Sequence, residues 1–60
     1  MKMSEKQKKF ADYYIETNNI YQSAVKAGYS EKYAKSRGHE LLVKVGIKEY
    51  IQEKLEEMAS

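Results

Sequence analysis

The residues most able to do chemistry lie between Ser30 and His39: Lys32, Tyr33, Lys35, Ser36, Arg37 and His39. Arginine and lysine donate hydrogen bonds to guanine O6 and N7, and serine can serve either base. A tyrosine can reach a phosphate or pack on a thymine methyl. On a helix, Lys32, Ser36 and His39 fall on one side, flanked by Tyr33, Lys35 and Arg37. A face of short and basic residues suits the major groove of duplex DNA. The competing reading is a solvated polar face, which most helices have.

Catalytic arrangements are not found. His39-Glu40-Leu41-Leu42-Val43 begins like the HExxH of zinc proteases, but Val43 stands at the second histidine position. One imidazole and no thiol do not build a tetrahedral zinc site. There is no glycine-rich phosphate loop, and no serine or cysteine is placed with a histidine as a triad needs. The expectation is a chain with no catalytic residues, no metal and no cofactor.

Positioning this face requires the stretch from Asn19 to Leu42, which reads as helix, tight turn, helix. Asn19 is the expected cap of the first, with Gln22 three residues on as in a capping box. Ile20, Ala24 and Ala27 share one face, and Gly28 stops the helix in a left-handed conformation. Ser30 then caps a helix starting at Glu31. So short a turn favours a sharp crossing, the geometry of a helix-turn-helix. Its first helix crosses the DNA backbone, which makes Tyr21, Gln22 and Lys26 candidate contacts, with Ser30 at the start of the second. Each is equally ordinary as a surface residue.

Sixty residues allow one small domain, spanning residues 1–60. A domain of this size buries only about 60% of its unfolded surface, so modest stability is expected. There is no cysteine and no long apolar run, so neither a disulfide nor a membrane span is expected. A reducing, soluble compartment follows as the default. The formal net charge of +2 is too small to argue for nucleic acid by itself. Its distribution says more: Lys2, Lys6, Lys8 and Lys9 cluster at the amino end, while residues 47–60 are net acidic. The amino-terminal lysines read either as an arm reaching a phosphate backbone or as a solvated leader.

The flanking helices follow from periodicity. Met1 to Met3 is expected to fray, and Ser4 with Gln7 fits a capping box. Phe10, Ala11, Tyr14 and Ile15 form an apolar stripe, with Tyr13 off it and exposed. The third helix is expected from Glu31 to about Lys44, with Ala34, Gly38, Leu41 and Leu42 facing the core. Gly38 there points to close helix packing, since glycine costs about 1 kcal/mol against alanine inside a helix. Val45-Gly46 reads as a break. A fourth helix follows from Ile47 to Met58, with Leu55 and Met58 extending past what so small a core can cover.

The run from Lys6 to Ile51 resembles the amino-terminal domain of phage terminase small subunits. The resemblance rests on Lys6-Gln7, Phe10, Tyr14, Asn19, Ala24, Ala27-Gly28-Tyr29-Ser30, Ala34, Gly38, Leu41-Leu42 and Ile47. It implies a homeodomain-like helix-turn-helix that binds double-stranded viral DNA at the packaging start site. It also implies a large subunit partner holding the ATPase and nuclease. Assembly into a homo-oligomeric ring would use parts outside this chain, read here as the amino-terminal portion of a longer subunit in the bacterial host cytoplasm. Two positions depart from the family pattern. Arg37 stands where an aliphatic residue is usual, and it either snorkels from the core edge or turns toward DNA. Lys44-Val45 stand where an Asn-Pro pair often ends the third helix.

The expected fold is all-α, a compact four-helix domain containing a helix-turn-helix. The expected function is DNA recognition during genome packaging. Two other classes fit the same residues. A helix-turn-helix transcriptional regulator of a phage or mobile element would differ in having an operator with dimer-spaced half-sites. A protein-interaction module would use the basic face on an acidic partner and bind no DNA.

Overall fold

The computed structural model describes residues 3–59; Met1 and Lys2, part of the basic amino end, and Ser60 lie outside them. Among the described residues the chain is all-α, with α1 Glu5–Thr17, α2 Ile20–Ala27, α3 Glu31–Arg37, α4 His39–Leu42 and α5 Val45–Ala59. No helix among them is long and apolar enough to cross a membrane.

Each of the first three helices starts where a side chain can satisfy its free N–H groups. Ser4 Oγ accepts from Gln7 N, and Gln7 Oε1 accepts in return from Ser4 N, each at 3.2 Å. This is the expected capping box. Asn19 Oδ1 accepts from Gln22 N at 2.9 Å. The return half is not built from Gln22, because Asn19 N donates to Thr17 Oγ1 at 3.2 Å instead. Ser30 Oγ accepts from Tyr33 N at 3.1 Å. Gly28 ends α2 with φ at 114°. Tyr29 N reaches back to Ala24 O and Gly28 N to Val25 O, the paired bonds of a Schellman motif.

The core consists of Phe10 and Ala11 from α1, Ala24 and Ala27 from α2, Ala34 from α3, Leu41 from α4, and Ile47 and Ile51 from α5. Helix α1 lies at the centre, packed on α2 along one side and on α5 along another. Helix α2 carries α3, and α4 leads from α3 back to α5. Where helices meet, alanines predominate, so the α1–α2 and α2–α3 backbones pack closely.

Four expectations are corrected. The third helix is not continuous to Lys44. Its hydrogen-bond ladder is interrupted at Gly38, although that residue keeps a helical backbone (φ −57°, ψ −37°), and the short α4 ends at Leu42. The following bonds, Leu41 N to Gly38 O and Val43 N to Glu40 O, are of the tighter i to i+3 kind. The four expected helices therefore become five. The break falls at Val43-Lys44, not Val45-Gly46, because Lys44 O already accepts from Lys48 N at 2.9 Å and so opens α5. Tyr13 is half-buried against the core with the Lys26 ammonium over its ring at 5.6 Å. Met3 also packs on the core, with its Cγ beside Gly46. Leu55 and Met58 are 49% and 68% exposed, beyond the core's reach as expected.

One buried polar residue was not anticipated. Ser23 is fully buried between α1 and α2. Its hydroxyl donates to Asn19 O at 2.6 Å and meets Thr17 Oγ1 at 2.9 Å, so burial leaves it satisfied.

Candidate nucleic-acid interface

The interface is built around the short connection from α2 to α3. The left-handed Gly28 turns the chain, and the Ser30 cap starts α3 two residues later. Gly38 then lets α3 lie against α2: a Cβ at this position would sit 2.9 Å from Ile20 Cγ2 and 2.5 Å from Ala34 O. The close-packing expectation for this glycine thus has a specific partner in Ile20. The inward side of α3 and α4 is Ala34, Gly38 and Leu41, all buried.

The candidate side chains of α3, and His39 at the start of α4, are placed differently from one another. Lys32 and Ser36 occupy the outer side, both exposed. Ser36 Oγ donates to Lys32 O at 2.7 Å, which leaves the hydroxyl oxygen free to accept from a base or a sugar. Lys35 and His39 turn toward the amino end of α2, where they line an open groove of about 530 Å³ with Ile20, Tyr21 and Ala34. Tyr33 turns back on the connection from α2: its ring stacks on Tyr29 with centroids 5.1 Å apart and an 18° interplanar angle. Lys6 of α1 lies over the Tyr29 ring, its Nζ 5.1 Å from the centroid. Burial, and then the neighbouring Tyr33 phenol, push the Tyr29 hydroxyl pKa upward, so it stays neutral. Arg37 is exposed, as its charged end is both when it snorkels from the core edge and when it turns toward DNA.

Of the candidate residues on α2, only Tyr21 joins the α3 group. Gln22 is exposed on the first turn of α2, and Lys26 sits on Tyr13 at the α1 side. The candidates therefore divide between two surfaces. Tyr29 was not among the expected site residues, and Lys6 was expected only within the amino-terminal lysines, as a phosphate arm or a solvated leader. Tyr29 and Tyr33 are near neighbours in sequence across the Ser30 cap; nothing local pairs Lys6 with Tyr29. Among the described residues, no group of three or more histidine, cysteine, aspartate or glutamate side chains is placed to hold a metal ion.

A family model described as terminase small subunit matches residues 3–60. The chain belongs to the terminase small subunit family. A curated relative, the terminase small subunit of Staphylococcus phage 80alpha, is 49% identical over 57 residues, which cover 93% of this chain and 39% of that protein. The chain thus spans well under half the length of that relative. No solved structure matches it. The terminase resemblance drawn from the Ala27-Gly28-Tyr29-Ser30 turn and its flanking apolar positions is borne out. Within this member of the terminase small subunit family, those signature positions have mainly structural work: Ala24 and Ala27 are core, Gly28 and Ser30 form the turn, and Gly38 meets Ile20.

Proposed function

We propose that this chain is the DNA-binding module of a phage terminase small subunit, recognising viral DNA at the packaging start site and presenting it to a large subunit that supplies the ATPase and nuclease. Helices α2 and α3 act as a homeodomain-like helix-turn-helix, with α3 entering the major groove and α2 crossing the backbone. The observation that carries this reading is the outward side of α3 and the start of α4: Lys32, Lys35, Ser36 and Arg37, with His39 after them, all stand exposed behind a turn fixed by Gly28 and Ser30. Family membership supplies the packaging context. The module binds and does not catalyse. Ring assembly, through parts outside this chain, raises the effective concentration of neighbouring modules on one DNA.

An NMR titration of the labelled chain with a short duplex at two salt concentrations tests the reading. Shifts concentrated on Tyr21–Lys26 and Ser30–His39, weakening steeply as salt rises, are expected. Lys32→Ala, Lys35→Ala and Arg37→Ala should each weaken binding, by about 1–3 kcal/mol where the side chain reads a base, without unfolding the domain. Absence of shifts at low salt would refute DNA binding by the module and favour a protein-interaction role. Tight binding to one operator with dimer-spaced half-sites would favour a transcriptional regulator.

A further inference from the structure

Two lysines outside the α3 group share an unusual setting. Lys6 of α1 rests over the Tyr29 ring at 5.1 Å, and Lys26 of α2 rests over the Tyr13 ring at 5.6 Å. The pairs run in opposite senses, α1 lysine on turn tyrosine and α2 lysine on α1 tyrosine, so both lie along the junction of α1 with α2 and its turn. Both lysines are exposed, and neither is in an ion pair among the described residues. Tyr29 stacks in turn on Tyr33, so this junction adjoins α3.

A lysine side chain normally loses considerable rotamer freedom when it binds, because its stem is long and flexible. A stem lying along an aromatic ring has lost part of that freedom already. The ammonium has three donors and the ring occupies one side of it, so donors remain for an anion. Such a seated, unpaired cation is prepared to meet a phosphate. Asp12, the α1 acid that makes a long-range hydrogen bond, is held by Tyr50 of α5 and takes no part in either lysine–tyrosine pair.

We infer that Lys6 and Lys26, each seated on a tyrosine ring, form a second strip of phosphate contacts to duplex DNA along the α1–α2 junction. This inference rests on the proposed DNA-binding role of α3 and extends its footprint to the first helix. The strip carries no base readout. It contributes affinity and salt dependence, and it fixes the angle at which α3 meets the groove.

The test is the affinity of the 60-residue chain for a short duplex across a salt series, for Lys6→Gln, Lys26→Gln, the double variant, and Lys35→Ala as the reference on α3. Each glutamine variant should lower the salt slope by about one and the double variant by about two, with thermal unfolding little changed. Lys6→Arg should keep the slope, because it restores a cation at the same ring. Weaker binding with an unchanged slope would overturn the inference, leaving the lysine–tyrosine pairs as braces between helices. Unchanged affinity would overturn it as well. If Lys35→Ala lowers the slope while the glutamine variants do not, only the strip fails. If the unmodified chain binds no duplex even at low salt, the α3 reading and the strip fail together.

Discussion

At Gly38 two local energies oppose each other. Alanine would gain about 1 kcal/mol of helix propensity over glycine. Its methyl, however, would lie 2.9 Å from Ile20 Cγ2 and 2.5 Å from Ala34 O, and one of these contacts is backbone that cannot move aside. Overpacking of this kind costs about 1–3 kcal/mol. With backbone on one side of the clash the steric cost is the larger, so Gly38→Ala should destabilise the domain by a net amount of up to about 2 kcal/mol. Chemical denaturation measures this directly. Adding Ile20→Ala should not worsen the loss by its full separate cost, because the two sites share one contact. Gly28 differs in kind. A Cβ there would find only the flexible Lys6 side chain, at 3.5 Å, and the objection to alanine is the φ of 114°.

Among the elements, α5 is joined to α1 by both core and surface. Ile47 and Ile51 enter the core, and on the outside Tyr50 Oη donates to Asp12 Oδ1 at 2.7 Å. That hydrogen bond, followed by partial burial and the Asp12 charge, pushes the Tyr50 pKa up to about 12. The folded state thus holds the phenol proton more tightly than the unfolded chain, whose tyrosine titrates near 10. The stabilisation is complete below pH 10 and is lost as pH rises from about 10 toward 12. Tyr50→Phe should be less stable at neutral pH, by about 0.5 kcal/mol for so exposed a bond, and should lack this share of the alkaline loss. Thermal unfolding followed from pH 8 to 12 compares the two proteins. The hydrogen bond spans helices far apart in sequence, so neither residue's own helix pattern announces it.

For the molecule as a whole, a net charge of +2 provides little long-range attraction, and binding must rest on where the cations stand. Charges farther apart than about 8 Å are largely screened at physiological salt, so the acids of α5 oppose binding only where they stand close to it. Counterion release then gives a quantitative expectation. With one phosphate neutralised by each of Lys32, Lys35 and Arg37, the slope of log affinity against log salt would be about −2.7, and one more each for Lys6 and Lys26 would make it about −4.5. A single salt series on the unmodified chain distinguishes the two footprints before any variant is made.

The sequence by itself determined what depends on near neighbours. The Ser4, Asn19 and Ser30 caps and the Gly28 turn were legible because each rests on bonds or backbone angles within five residues. The apolar positions of the core were legible because burial follows helical spacing. The end of the third helix was not, because nothing local at Lys44-Val45 marks a stop, and the break at Val43-Lys44 depends on how α4 and α5 meet. Only the tertiary structure decided which side of α3 faces which neighbour. It placed Lys35 and His39 with Tyr21, Lys6 with Tyr29, Lys26 with Tyr13, and Gly38 against Ile20. Contacts of this kind are set by the crossing of helices, and the spacing of residues along any one helix carries no information about that crossing.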